Sequence, residues 1–390
     1  MHYRKMGNID EKLSALGFGA MRFPTLDDDN EIIDAGKATE MLDYALNHGV
    51  NYIDTAWPYH GGNSEEFVGN YLTDLTNRKN GPDLQREDLY IATKLPVWLV
   101  ESHEDADEYL EKQLNNLQTE YIDFFLLHAL DYDRWDDMKK IEIVEWLKEK
   151  KAEGKVKYIG FSFHDELKLF KEIVDYSDAW DFCQIQYNYI DLEYQAGKEG
   201  MHYAADKGLG VIIMEPLRGG LLARKPPEDI LDIWKESEQD ISPAARALQW
   251  LWDQEDVGIV LSGMNKLSEV KENIETAIKA GGINTLPKKE IELVEKAGRI
   301  FKKLAPVDCT GCNYCMPCPE SVWIPRVFDY YNQAHIYDNY KEMSERYFDL
   351  KEENRADNCI ACLVCEDKCP QDLPISELMI EIDNYFSKAK

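Results

Sequence analysis

Residues 122–128 read IDFFLLH, and the run Ile122–Leu127 is apolar except for one Asp. It does not alternate, so both faces of such a strand must be buried, as in a parallel sheet covered by helices. Helical interleaving of charged and apolar residues precedes it at Asp105–Leu117 and follows it at Ile141–Glu153, where Gly154 after a Lys-rich end marks a stop. The same strand-then-helix unit recurs along the chain. The other strand candidates are Leu16–Met21, Tyr52–Ala56, Leu89–Thr93, Tyr158–Ser162, Phe182–Tyr187, Gly210–Met214 and Gly258–Ser262. Further helices are expected at Gly36–Asn47 and Ser64–Leu75, the latter opened by Ser64 ahead of Glu65-Glu66. Eight is the number of parallel strands that closes a barrel. An open doubly wound sheet competes, but the Gly-rich fingerprint it needs after its first strand is missing. The prediction is an α/β chain with a (β/α)8 TIM barrel over residues 1–304.

Composition bounds the partners. The chain has 390 residues, 44 Lys plus Arg against 74 Asp plus Glu, and a formal net charge of −30. Such a surface cannot displace counterions from phosphates, so no nucleic-acid role is expected. An anionic membrane surface is excluded on the same ground. No apolar run is long enough for a membrane span, and the start MHYRKMGNIDEKLSALG has no signal-peptide core, so the expected location is cytoplasmic. The acidic run Asp27-Asp28-Asp29 reads as a solvated loop, and Lys225–Ser242 as part of a lid.

Near residue 305 the periodicity changes and Cys, Pro and Tyr rise. Cys183 stands alone in an apolar strand and reads as core. The other eight cysteines form two tight groups, which suits metal or cluster ligation better than disulfides in a large reduced chain. Cys359-x2-Cys362-x2-Cys365-x3-Cys369-Pro370 is the run of bacterial ferredoxins. Cys309-x2-Cys312-x2-Cys315-x2-Cys318-Pro319 is one residue shorter before its last Cys. With the cross-over usual for that run, Cys309, Cys312, Cys315 and Cys369 hold one [4Fe–4S] cluster, and Cys359, Cys362, Cys365 and Cys318 the other. Zinc is the alternative, since paired CxxC units also suit a tetrahedral ion. Residues 305–390 are thus expected to form a small, mostly helical, ferredoxin-type iron–sulfur domain. A helix is expected in the aromatic stretch between Cys318 and Cys359 and another over Pro374–Lys390.

Barrel active sites lie at the C-terminal ends of the strands. The second strand ends at Asp54, with Tyr59 five residues on; the third ends at Lys94 and the fourth at His128. Singly, each has an ordinary reading: a turn or cap Asp, a rim Tyr or His, a solvated Lys. At consecutive strand ends they share one mouth.

Their contexts, YIDTAWPYHGGNSE, YIATKLP and IDFFLLH, resemble the catalytic tetrad of the aldo-keto reductase superfamily, and the whole resembles the branch with a C-terminal iron–sulfur domain. The resemblance implies an NAD(P)-dependent oxidoreductase that interconverts a small carbonyl and its alcohol. Tyr59 is then the acid or base, its pKa pulled toward neutrality by Lys94. Asp54 orients Lys94, and His128 positions the carbonyl oxygen. It also implies cofactor contacts: Ser162 and Gln184 to the carboxamide, Pro216, Leu217, Arg218 and Gly219 to the pyrophosphate, and Gly263, Glu272 and Asn273 to the adenosine. A carboxylate, Glu269, stands where NADP-specific members carry a basic residue, with Lys266 or Lys271 able to compensate, so NAD and NADP both stay open. Nicotinamide moves a hydride and a cubane one electron, so exchange between them needs a splitter such as flavin, for which no motif is present. The alternative function is therefore an iron–sulfur electron-transfer protein linking a redox protein partner to a barrel-bound nicotinamide or flavin.

Overall fold

The computed structural model describes residues 1–26, 31–75, 81–279 and 282–388, so the Asp27-Asp28-Asp29 loop lies outside the described residues. The chain divides into two compact units: Met1–Pro216 with Ala244–Leu286, and Leu217–Pro243 with Pro287–Lys390.

The first unit opens with an antiparallel hairpin, β1 (Tyr3–Met6) and β2 (Ile9–Ser14), absent from the expectations above. Eight parallel strands then close a barrel: β3 (Leu16–Gly19), β4 (Tyr52–Asp54), β5 (Tyr90–Leu95), β6 (Ile122–Leu130), β7 (Val156–Phe163), β8 (Phe182–Gln186), β9 (Gly210–Met214) and β10 (Ile259–Gly263). Each pairs with the next in parallel, and β10 returns to β3. All nine residues of β6 are buried, as its unbroken apolar run requires. Phe124 occupies the barrel's axis, its ring centroid 5.0 Å from Tyr52 and Tyr158 and 5.1 Å from Phe182.

The hairpin seals one end. Met6, Ile9 and Leu13 join Tyr52, Phe124, Phe182 and Ile259 in one apolar cluster. Glu11 accepts hydrogen bonds from Tyr90 (2.7 Å) and Tyr158 (3.2 Å). A Cβ at Gly210 or Gly258 would come within 2.4 Å of Met6, so glycine is what admits the plug. The opposite end, where the strands finish, is left for chemistry.

Ser64 does not cap its helix, which spans Asn63–Thr73 behind Gly62. Its hydroxyl instead accepts a 2.8 Å bond from Thr55. Gly154 does end the helix Ile143–Ala152, in the left-handed region at φ +77°.

The second unit is built from helices Glu228–Trp234, Lys288–Leu304, Ile324–Ile336, Tyr340–Asp349 and Ile375–Ser387. The single aromatic helix expected between Cys318 and Cys359 is two, broken at Asp338, which has φ +46°. Their core is aromatic: Tyr347 stacks on Phe386 at 4.7 Å, and Tyr340 donates to the Tyr385 and Phe386 carbonyls. The stretch read as a lid is tied down here. Ser237 donates to Glu290 at 2.7 Å and the Glu238 N–H to the same carboxylate at 3.1 Å. Among the described residues, no helix is long and apolar enough to cross a membrane.

Candidate active site

Three strand ends deliver the tetrad. β4 finishes at Asp54, β5 carries Lys94 one residue from its end, and β6 carries His128 before a left-handed Ala129. Tyr59 follows β4 at the head of a short turn whose His60 has φ +53°. The Lys94 ammonium donates to Asp54 Oδ1 (2.7 Å), the Thr55 carbonyl (2.8 Å) and the Tyr59 hydroxyl (3.2 Å). The Tyr59 and His128 rings meet edge to face at 6.2 Å. All four are buried, Tyr59 the most accessible at 8%.

Burial sets the charges. Desolvation lifts the Asp54 carboxyl above its usual range while Lys94 pulls it back. Desolvation likewise lowers the Lys94 ammonium, and Asp54 opposes it. Each partner thus partly restores in the other the charge that burial disfavours. His128 is held well below the usual imidazole range, by burial and then by the Lys94 charge. At neutral pH it is a neutral ring with one N–H to donate.

A layer behind Lys94 escaped the sequence reading. Glu65 is fully buried and accepts from Thr93 (2.5 Å), Gln113 (2.6 Å) and Asn116 (3.2 Å); Gln113 also bonds the Lys94 carbonyl (3.0 Å). This network fixes the strand from which Lys94 projects. Its only trace in sequence is Glu65 close behind Tyr59, where it reads as a solvated first-turn acid. Trp98 was missed as well: its ring lies 5.2 Å from that of His128, and it is 40% exposed.

The cofactor candidates fall in both units. Ser162 accepts a 2.6 Å bond from the Ala129 N–H, which leaves its own hydroxyl proton free to donate. Gln184 touches Met214 Sδ through its amide nitrogen (3.6 Å), while its buried Oε1 has no hydrogen-bond partner. An orphaned carboxamide oxygen beside a hydroxyl suits an amide ligand. Asn273 donates to Ser262 at 3.1 Å, Glu272 lies on the same helix, Leu267–Lys279, and Gly263 ends β10. Pro216 closes a segment of the first unit; Leu217, Arg218 and Gly219 open one of the second. There Arg218, buried, pairs with Asp308, and a Cβ at Gly219 would sit 2.0 Å from the Thr310 carbonyl oxygen.

In the second unit Cys318, Cys359, Cys362 and Cys365 line one cavity, closed from within by Val322 and Met379. Burial and then the thiols of Cys312, Cys309 and Cys369 raise the Cys315 pKa. Cys365, pushed to about 11 by burial, feels Cys359 and Cys318. Cys365 acts on Cys315 as well, so the two cysteine groups lie together. Among the described residues no three Cys, His, Asp or Glu side chains meet at a single-ion position. Eight thiols with no His among them are the donor set of iron–sulfur clusters. Cys183 is fully buried in β8, as its apolar context required.

Residues 15–299 match the aldo/keto reductase family and residues 308–373 the 4Fe-4S dicluster domain. An uncharacterised oxidoreductase of Bacillus subtilis is 28% identical over 306 residues, 71% of this chain and 91% of its own. The NADH-specific methylglyoxal reductase of Escherichia coli is 26% identical over 316 residues, covering 69% of this chain and 91% of its own. The holo form of an aldo-keto reductase from Bacillus halodurans superposes with a TM-score of 0.63 at 29% identity, over 76% of this chain and 96% of that one. The chain belongs to the aldo/keto reductase family, and it is an oxidoreductase that carries a C-terminal 4Fe-4S dicluster domain.

Proposed function

We propose that the barrel interconverts a small carbonyl compound and its alcohol with a nicotinamide cofactor, Tyr59 serving as acid and base. The observation that carries this reading is the buried Lys94 ammonium bonded at once to Asp54 and to the Tyr59 hydroxyl. The bound nicotinamide would supply or accept the hydride. In the reducing direction Tyr59 gives its proton to the carbonyl oxygen as negative charge builds there. Lys94 faces the phenolate so formed and stabilises it; Asp54 keeps Lys94 charged and aimed. The neutral His128 ring donates its N–H to the same oxygen and fixes the carbonyl's direction. The dry site makes each of these contacts stronger than it would be in water.

Ser162 and Gln184 are the proposed carboxamide contacts, the free hydroxyl proton of one and the orphan oxygen of the other matching the two halves of an amide. The role of residues 216–219 toward the pyrophosphate rests on the family resemblance, as does that of Gly263, Glu272 and Asn273 toward the adenosine. NADH is the proposed form. Glu269 accepts the Asn265 N–H at 3.0 Å and sits 4.0 Å from Lys266, while Lys271 lies over the Tyr44 ring at 5.3 Å. Lys266 is shared with Glu269 and Lys271 lies over Tyr44, so a 2′-phosphate would compete with Glu269 for its nearest ammonium. The eight clustered cysteines are proposed to hold two [4Fe–4S] clusters in the crossed sets given above.

The test uses anaerobic, cluster-loaded protein offered NADH and NADPH separately with a panel of aldehydes and ketones. Turnover with NADH that Tyr59→Phe abolishes and Cys362→Ser leaves intact supports the reading. The reverse pattern, with clusters bleaching on nucleotide alone, would replace it with electron transfer through the module.

A further inference from the structure

Residues 217–223 make a short turn whose backbone is left-handed at three residues in succession: Arg218 (φ +46°), Gly219 (φ +62°) and Gly220 (φ +93°). Glycine takes this region at little cost, but Arg218 is strained there. A strained turn persists only where its surroundings over-determine it. Here the surroundings are the first cysteine loop. Arg218 is 4% exposed, and its guanidinium donates to the carboxylate of Asp308, the residue before Cys309. Gly219 lies against Thr310, the residue after Cys309, with no room for a Cβ below the Thr310 carbonyl. Asp308 and Thr310 thus grip the turn from either side of one proposed cluster ligand.

That loop has no regular structure of its own, since residues 308–315 belong to no helix or strand. It is anchored just behind Asp308, where Val307 and Asn332 exchange two hydrogen bonds (3.0 and 2.7 Å). Beyond that point a cluster on Cys309, Cys312 and Cys315 would set its path, because the free energy of binding a metal group goes into ordering the ligands that hold it. The second cysteine loop is built alike, left-handed at Ala361 (φ +52°) and Leu363 (φ +64°). It leans on the helix Ile375–Ser387 instead: Glu366 accepts the Ser376 N–H at 2.7 Å, and Leu363 stays 48% exposed.

We infer that Asp308 is a positioning residue for the nucleotide. Through Arg218 the first cysteine loop shapes the turn 217–223, so the cofactor binds with full affinity only while the cluster on Cys309, Cys312 and Cys315 is in place. This rests on the proposals that those thiols hold a cluster and that Leu217, Arg218 and Gly219 face the pyrophosphate. The coupling is mechanical, with no electron passing between the two. With the cluster gone, Asp308 loses its fixed place, the buried guanidinium loses its counter-charge and the strained turn relaxes. By reciprocity, bound nucleotide strengthens the hold on iron.

The experiment measures NADH dissociation constants by fluorescence titration, without substrate, on full-length protein. Wild type is compared loaded with clusters and stripped of iron by EDTA and ferricyanide. Asp308→Asn is compared in the same two states. Glu353→Gln, which removes an exposed carboxylate elsewhere in the module, is the loaded control. Iron, labile sulfide and hydrogen exchange at residues 217–223 and in β6 are followed in each. Stripping wild type should weaken NADH binding about fivefold or more, the usual size of coupling between two sites, and speed exchange at 217–223 while β6 stays protected. Loaded Asp308→Asn should keep its iron and show the same loss. Stripping it should then change little, because the link is already cut. Glu353→Gln should match wild type, and saturating NADH should raise the EDTA concentration that removes half the iron. Equal affinities in loaded and stripped wild type overturn the inference, as does an Asp308→Asn protein that binds like wild type. A stripping loss as large in Asp308→Asn as in wild type overturns it too, and so does β6 losing protection on stripping. Two results strike the foundations, and the inference falls with either. Wild type that takes up no iron fails the cluster proposal; bound NADH that leaves exchange at 217–223 unchanged in loaded protein fails the pyrophosphate assignment.

Discussion

The barrel mouth and the cysteine module solve opposite problems with the same chain. At the mouth, the four proposed catalytic groups come from strand ends or the turn just after one, are buried and are braced from behind by Glu65, Thr93 and Gln113. In the module, the proposed cluster ligands lie on loops, most of them partly buried and Cys362 exposed, held by left-handed turns instead of a sheet. Proton and hydride chemistry requires a dry site fixed to a fraction of an ångström. Electron exchange requires an edge near the surface. The contrast teaches that one fold supplies precision and the other access.

The sharpest way to break that comparison is at Tyr59. Tyr59→Phe should lower carbonyl reduction by about 10²–10⁴-fold, the usual worth of a positioned acid, with nucleotide affinity unchanged by fluorescence titration. Turnover within a few-fold of wild type would mean that the mouth is not where protons move. Next in size is Gly219→Val, which puts a β-branched residue at φ +62° and a Cβ against the Thr310 carbonyl between Cys309 and Cys312. The combined strain and clash should cost about 3 kcal/mol in the second unit. The reading is iron content and hydrogen exchange at residues 308–312; unaltered exchange would show the contact to be slack.

Acid offers a smaller test of the buried mouth. His164 is held down to about 4, by burial and then by the Arg134 charge, whereas an unfolded His titrates near 6.5. The folded pKa is depressed, so the unfolded state binds more protons below 6.5, and stability present above that pH is lost as pH falls toward 4. Between pH 6.5 and 5 this is about 2 kcal/mol. His164→Gln should flatten that part of the unfolding profile measured in urea; an unchanged slope would mean the ring is solvated. The smallest effect falls on stability at the exposed loop. Leu363→Asn should raise it by about 0.5–1 kcal/mol, because Asn accepts the left-handed turn. A loss would show that Leu363 packs inward.

The barrel was legible because burial on both faces writes itself as unbroken apolar runs, and Ile122–Leu127 could not be anything else in an alternating context. The clustering of Asp54, Tyr59, Lys94 and His128 was legible because each follows or ends a strand in the sequence. The hairpin was not: its buried Met6, Ile9 and Leu13 are spaced by charges, and the Gly7-Asn8 turn that announces it is a weak signal in an N-terminal stretch. Glu65 escaped notice for a general reason. A carboxylate in a helix's first turn is ordinarily solvated, and only three-dimensional packing brings Thr93 and Gln113 to it. Arg218 shows the same limit, since its partner Asp308 lies ninety residues away in the chain and ranks among ordinary surface acids in sequence.

The composition change near 305 looks like a clean seam between two genes. Packing does not follow that boundary: Leu217–Pro243 and Pro287–Leu304 belong to the same compact unit as the cysteines. Arg218 is bound to Asp308, Arg224 to Asp329 at 2.8 Å, and Ser237 to a helix that ends just before the module begins. Residues 217–243 and 287–299 match the aldo/keto reductase family together with the rest of the barrel, yet they pack with the cysteines, so excising the tail alone would strip Arg218 and Arg224 of their carboxylate partners.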